Sequence, residues 1–120
     1  MTASAVKNLT GISWEAFESL AVTEKGPDGK RTLPLSSSAE INDDRLEAWF
    51  PSITNYDLAL IRWTFEKTAE LAKEVGEGRE SEHWQKVLSE MPDLAVDPKS
   101  DKLLVAKDYP LPFSHRHFSH

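Results

Sequence analysis

Three of the four histidines fall in one short stretch, Ser114-His115-Arg116-His117-Phe118-Ser119-His120. Imidazole ligates zinc, copper or nickel, and it also exchanges protons near neutral pH. On an extended backbone alternate residues share a face, so His115 and His117 point together while His120 need not join them. No carboxylate stands in this tail to complete a metal set, and Arg116, Phe118 and Ser119 interrupt it. A plain polar tail is the bland alternative. Among the carboxylates, Glu40 is the candidate acid. It lies next to Ala39 and Ile41, and an apolar flank that desolvates a carboxyl raises its pKa, as general acid catalysis requires. The bland alternative for Glu40 is a solvated glutamate beside a turn. Asn55-Tyr56-Asp57 has two readings. Asn55 can cap a helix with Asp57 in its first turn, or the amide and carboxylate can pair with sugar hydroxyls. Spacing alone favours capping. Trp14, Trp49, Trp63 and Trp84 could stack on sugar rings, although their placement favours core packing, with one of them left to line a cleft.

The elements that must position these residues follow from periodicity. Residues 1–10 read as frayed, and Ser13 as the cap of a short helix carrying Trp14, Phe17 and Leu20. Gly26-Pro27-Asp28-Gly29 is a turn signal, and Val22 to Leu35 reads as a small β-hairpin. Ser36-Ser37-Ser38 reads as a polar linker. After Pro51, with Ser52, Thr54 or Asn55 as cap, Leu58, Ile61, Phe65, Thr68, Ala69 and Ala72 recur at helical spacing. Leu60, Trp63, Thr64 and Leu71 widen that face, which predicts a helix buried on several sides. Gly76 ends it, and Gly78 reads as a loose connection. A second helix is expected from Ser81 to Glu90, with Trp84, Val87, Leu88 and Met91 as one stripe, stopped by Pro92. The two make an αα-hairpin. Leu94 to Val96 and Lys102 to Ala106 read as a second β-hairpin, and Tyr109 to Phe113 as extended.

Composition narrows the classes. The chain has 120 residues and no cysteine, with 14 Lys plus Arg against 20 Asp plus Glu, a net charge of −6. That length suits one domain or segment. The absence of cysteine excludes disulfide scaffolds, thiolate metal sites and thiol catalysis. The acidic balance argues against a nucleic-acid partner, and no apolar run reaches the roughly 20 residues that span a membrane. The first ten residues do not read as a signal peptide, which leaves the compartment open.

The string His115-Arg116-His117-Phe118-Ser119-His120 resembles the His-Arg-His-x-Ser-His signature of glycoside hydrolase family 95 and its near relatives. Ser38-Ala39-Glu40 is similar to that family's Ser-Pro-Glu motif, with Ala39 in place of proline and Ile41 where asparagine often follows. Asn55-Tyr56-Asp57-Leu58-Ala59-Leu60 is similar to the start of a barrel helix there. The order of motifs agrees along most of the chain. The resemblance implies a mainly α chain with short β-hairpins, residues 1–120 forming one segment of an (α/α)6 toroid. It implies inverting hydrolysis of α-L-fucosides or related glycosides, an oligosaccharide substrate and no cofactor or metal. Glu40 would be the general acid. His115, Arg116, His117 and His120 would line the sugar subsite, with Asn55 a neighbour. The family's base-side aspartate lies downstream of the histidine motif, so the segment is expected to be inactive alone, and to self-associate through exposed apolar helix faces. The alternative is a small carbohydrate- or partner-binding α+β module without catalysis.

Overall fold

The computed structural model describes residues 24–33, 35–38 and 45–110. They form an α+β arrangement of two helices and two short antiparallel strand pairs. Strand β1, Glu24–Lys25, pairs with β2, Arg31–Thr32. The turn between them is closed by Gly26 N–H on the Lys30 carbonyl at 2.8 Å and by Asp28 Oδ1 accepting from Lys30 N–H at 3.0 Å. Gly29 sits at φ +72°, a left-handed position that glycine adopts without strain. The hairpin expected from Gly26-Pro27-Asp28-Gly29 is therefore present.

The serine run is not a linker. Ser36–Ser37 is a strand, β3, paired with β4, Trp49–Phe50, in the register Ser36 to Phe50 and Ser37 to Trp49. A single 3-10 turn, Leu46–Ala48, leads into β4. Ser36 and Phe50 point inward and are buried, while Trp49 points outward. Ser36 belongs inside because its hydroxyl has partners there, which removes most of the cost of burying it.

Helix α1 runs from Asn55 to Glu74 and α2 from Gly78 to Ser89. Thr54 caps α1, its side chain accepting from Asp57 N–H at 3.3 Å. At the other end Glu77 N–H bonds to the Ala72 carbonyl at 2.8 Å and Gly76 N–H to Lys73 at 3.2 Å, with Gly76 at φ +82°. This pair of bonds is a Schellman motif. It turns the chain within Val75-Gly76-Glu77, so α2 starts three residues earlier than the apolar stripe suggests. Gly78 is its first residue rather than a loose connection. Stripe periodicity marks only the buried turns of a helix, and the first turn of α2 carries Arg79 and Glu80.

The helices close one core of Ile53, Leu58, Phe65, Ala69, Trp84, Val87 and Met91, with Leu33, Ile61 and Leu88 at its margin. The Trp84 and Phe65 rings stack at 4.9 Å and 26°. The α2 stripe lies where its spacing put it. On α1, however, Leu60, Trp63 and Leu71 are 52, 61 and 60% exposed. That helix is buried on one face among the described residues, not on several. A smaller cluster joins Phe50, Val105 and Ala106, with Tyr109 edge-on to Phe50 at 5.1 Å.

The second hairpin is reduced to one bridge, Val96 to Leu103. Asp97 organises its turn instead, accepting from Lys99 N–H and Ser100 Oγ and bonding through its own N–H to the Lys102 carbonyl. These two side-chain contacts, Ser100 first, hold the Asp97 carboxyl below its ordinary pKa. Asp101 at φ +57° bends the return strand away, which limits pairing to the single bridge. The stretch that follows is held to itself by a bridge between Ala106 and Tyr109.

Candidate functional site

The N-terminal end of α1 gathers buried polar groups from three separated segments. Ser36 Oγ accepts from Thr54 N–H at 2.9 Å and donates to Asp57 Oδ2 at 2.6 Å. Thr54 Oγ1 lies 3.0 Å from Ser36 Oγ and donates to the Ser37 carbonyl at 2.8 Å. Ser36 and Thr54 are 2% and 0% exposed, so each hydroxyl serves as donor and acceptor within a closed network. A serine beside a carboxylate can be read as an activated nucleophile, but among the described residues no imidazole takes part, and the serine proton goes to Asp57 to hold β3 on the helix end.

Asn55 anchors the third segment. Its Nδ2 donates to the carbonyls of Ala95 and Leu104, both at 2.8 Å, and its Oδ1 accepts from Ala95 N–H at 2.7 Å. Its backbone N–H bonds to the Val105 carbonyl at 2.8 Å, and Thr54 bridges Ala106. Asn55 is therefore not the cap, which is Thr54. It is buried, with both amide hydrogens committed to the backbone, and it bolts residues 95–106 to α1.

The other candidates fall differently. Glu40, His115, Arg116, His117 and His120 lie outside the described residues, as does the short helix expected from Ser13. Residues 36–37 and 104–106 are held at the Thr54–Asp57 end of α1. Ser38, two residues before Glu40, is buried with its Oγ unpaired. Of the tryptophans, Trp84 is core, while Trp49 and Trp63 are exposed, contrary to the packing expectation. Trp14 is outside the described residues.

A more open cleft of about 450 Å³ lies between the Gly26–Thr32 turn, residues 51–55 and residues 92–95. Its volume suits a small ligand, and two of its charged groups, Lys30 and Arg31, already serve the fold. Lys30 Nζ donates to the Ser89 carbonyl at 2.9 Å, and Arg31 Nε meets Glu90 Oε2 at 2.8 Å. Lys25 adds a longer contact to the same carboxylate at 3.3 Å. Arg31 and then Lys25 hold the Glu90 carboxyl below its ordinary pKa. The cluster clips the β1–β2 turn onto the end of α2.

Among the described residues no group of three or more His, Asp and Glu is placed to hold a metal ion. No helix there is long and apolar enough to cross a membrane.

Ser36 and Trp49 are the residues of interest that periodicity missed. The pattern Thr54-Asn55-Tyr56-Asp57 is a capping signature and marks the helix end. Nothing local says that a serine 18 positions upstream shares that cap. Searches with this chain find no matching family model, no matching curated protein and no matching solved structure.

Proposed function

We propose that this chain supplies the general-acid side of the site in an inverting glycoside hydrolase acting on α-L-fucosides or related glycosides, as one segment of a larger (α/α)6 toroid. One observation supports the reading beyond the motifs themselves. The segments leading to Glu40 and to the histidine motif, far apart in sequence, are both pinned to the same end of α1, the first through Ser36 and the second through Asn55. An acid and its sugar-binding partners must act at one place, and a shared anchorage of the segments that precede them is consistent with that need.

In the proposed reaction Glu40 protonates the glycosidic oxygen. A second carboxylate, contributed from outside this segment, activates water on the opposite face of the sugar roughly 6.5–9.5 Å away. His115, Arg116, His117 and His120 donate hydrogen bonds to the sugar hydroxyls. The test uses the protein encoded by the whole reading frame, an aryl α-L-fucoside and NMR of the first product. Release of β-L-fucose and loss of hydrolysis in Glu40→Gln, with an unchanged circular dichroism spectrum, is the expected result. Undiminished turnover in Glu40→Gln removes Glu40 from its role, and α-L-fucose as first product removes the inverting mechanism.

A second reading, a carbohydrate- or partner-binding module without catalysis, draws on the core that Ile53, Leu58, Phe65, Trp84, Val87 and Met91 close within this chain. A sharp cooperative melt from a monomer that binds glycan unaided would favour it.

A further inference from the structure

The face of α1 turned away from the core carries side chains whose order along the helix complements itself when reversed. We infer that two copies of this chain pair through that face, α1 against α1 and antiparallel, about a two-fold axis that crosses the helix near residue 65. The inference goes beyond the catalytic reading and does not rest on it.

Each residue of an α-helix turns the chain by about 100°. Leu58, Phe65 and Ala69 therefore fall on one side of α1, and they are its buried side. Tyr56, Leu60, Trp63, Lys67, Leu71 and Glu74 fall on the opposite side, within about 80° of one another. Leu60, Trp63, Leu71 and Glu74 are exposed, and Tyr56 and Lys67 are half-buried. None of the six belongs to the core cluster that α1 forms with α2. Lys67 Nζ is already directed along this face by Glu70, whose Oε2 it meets at 2.6 Å.

Read along the helix, the face runs tyrosine, leucine, tryptophan, lysine, leucine, glutamate. Laid antiparallel on itself with the axis near residue 65, each side chain meets a fitting one. Tyr56 comes level with Glu74 of the second copy, so a phenol donates to a carboxylate. Trp63 comes level with Lys67, and an ammonium over an indole face is attractive. Leu60 comes level with Leu71, and both bury apolar surface. The symmetry makes every pair twice. A parallel pairing would instead set Lys67 on Lys67 and Glu74 on Glu74, and like charges in register are repulsive. The charges thus select the antiparallel orientation. One helix face is a small interface for specific association, so dimer and monomer exchange readily.

The chain has no cysteine, so single introduced thiols report the register. Leu60→Cys and Leu71→Cys are made separately, both on the exposed face, and circular dichroism checks that each keeps its helices. In the proposed dimer position 60 lies level with position 71 of the second copy. It lies about 16 Å along the axis from its own counterpart, and so does position 71, whereas a disulfide needs Cα atoms within about 7 Å. Mild oxidation of the two variants mixed should therefore join position 60 to position 71, identified by proteolytic digestion and mass spectrometry. Either variant alone should join far more slowly. In sedimentation equilibrium Lys67→Glu should weaken dimerisation about tenfold, since two cation–π contacts are lost. Lys67→Arg should keep it, because a guanidinium also stacks on indole. A monomer at every concentration overturns the dimer and leaves the face to a neighbouring helix of a larger protein. Joining within the single variants as fast as in the mixture overturns the antiparallel register. Association of Lys67→Glu equal to that of the parent overturns the pairing of Trp63 with Lys67.

Discussion

Asn55 shows how one side chain can close a fold that sequence leaves open. Its side chain is buried, and its amide makes three part-buried bonds to the backbone of Ala95 and Leu104. Asn55→Ala removes them together and strands two carbonyls and an N–H. Each orphaned group costs about 1–3 kcal/mol unless water reaches it, so the expected loss in urea unfolding is on the order of 3 kcal/mol. Amides of residues 95–105 should gain exchange first. Asn55→Asp should not rescue, because a carboxylate faces the same two carbonyls. An Asn55→Ala midpoint equal to that of the parent would refute the bolt. Thr54 gives a graded case. Thr54→Ala loses the cap, worth about 0.5–2 kcal/mol, and the bond to Ser37, whereas Thr54→Ser keeps both and should stay near the parent in the same assay.

At the scale of elements, the α1–α2 connection depends on Gly76 in the left-handed region. A Cβ placed there meets no atom, so Gly76→Ala is a test of backbone conformation alone. It should cost about 1–2 kcal/mol, measured as a lower melting temperature with an unchanged spectrum. The clip between the β1–β2 turn and α2 makes a pH prediction. Because Arg31 and Lys25 depress the folded-state pKa of Glu90, the clip is fully present above the ordinary carboxylate range. It is lost as pH falls through the depressed value. The difference in melting temperature between the parent and Glu90→Gln should therefore be constant near neutrality and shrink in acid. A difference that grows in acid would contradict the assignment. The contact is partly solvated, so the effect should be small and reduced by salt.

At the scale of the whole molecule, the core sits on one side of α1 and an apolar stripe on the other. Leu60, Trp63 and Leu71 are more than half exposed. Exposed apolar groups aligned on one helix face are association surfaces. Sedimentation velocity of this chain should show mass-dependent self-association. A Leu60→Lys, Leu71→Glu double variant should shift it toward monomer with little change in helicity. Parent protein that stays monomeric at high concentration would rule the stripe out as a contact face. The same stripe would be covered by a neighbouring helix if the chain is part of a toroid.

The sequence by itself determined the local elements. The turn at Gly26–Gly29, the two helices, the stop at Gly76 and the Trp84–Val87–Met91 face all depend on contacts within a few residues, where periodicity and φ preferences act. Capping at Thr54–Asp57 was legible for the same reason, although which residue capped was not. Only the tertiary structure decided that Ser36 is buried rather than in a linker, that Asn55 bolts a loop 40 and 49 residues away, and that Trp49 and Trp63 are exposed. These depend on pairings between distant segments, and a buried serine and a solvated one have the same local sequence. The candidate site divides in the same way. The motifs at Glu40 and His115 to His120 were read from the chain alone. The common anchorage of the segments leading to them on one end of α1 came from hydrogen bonds that no local pattern encodes.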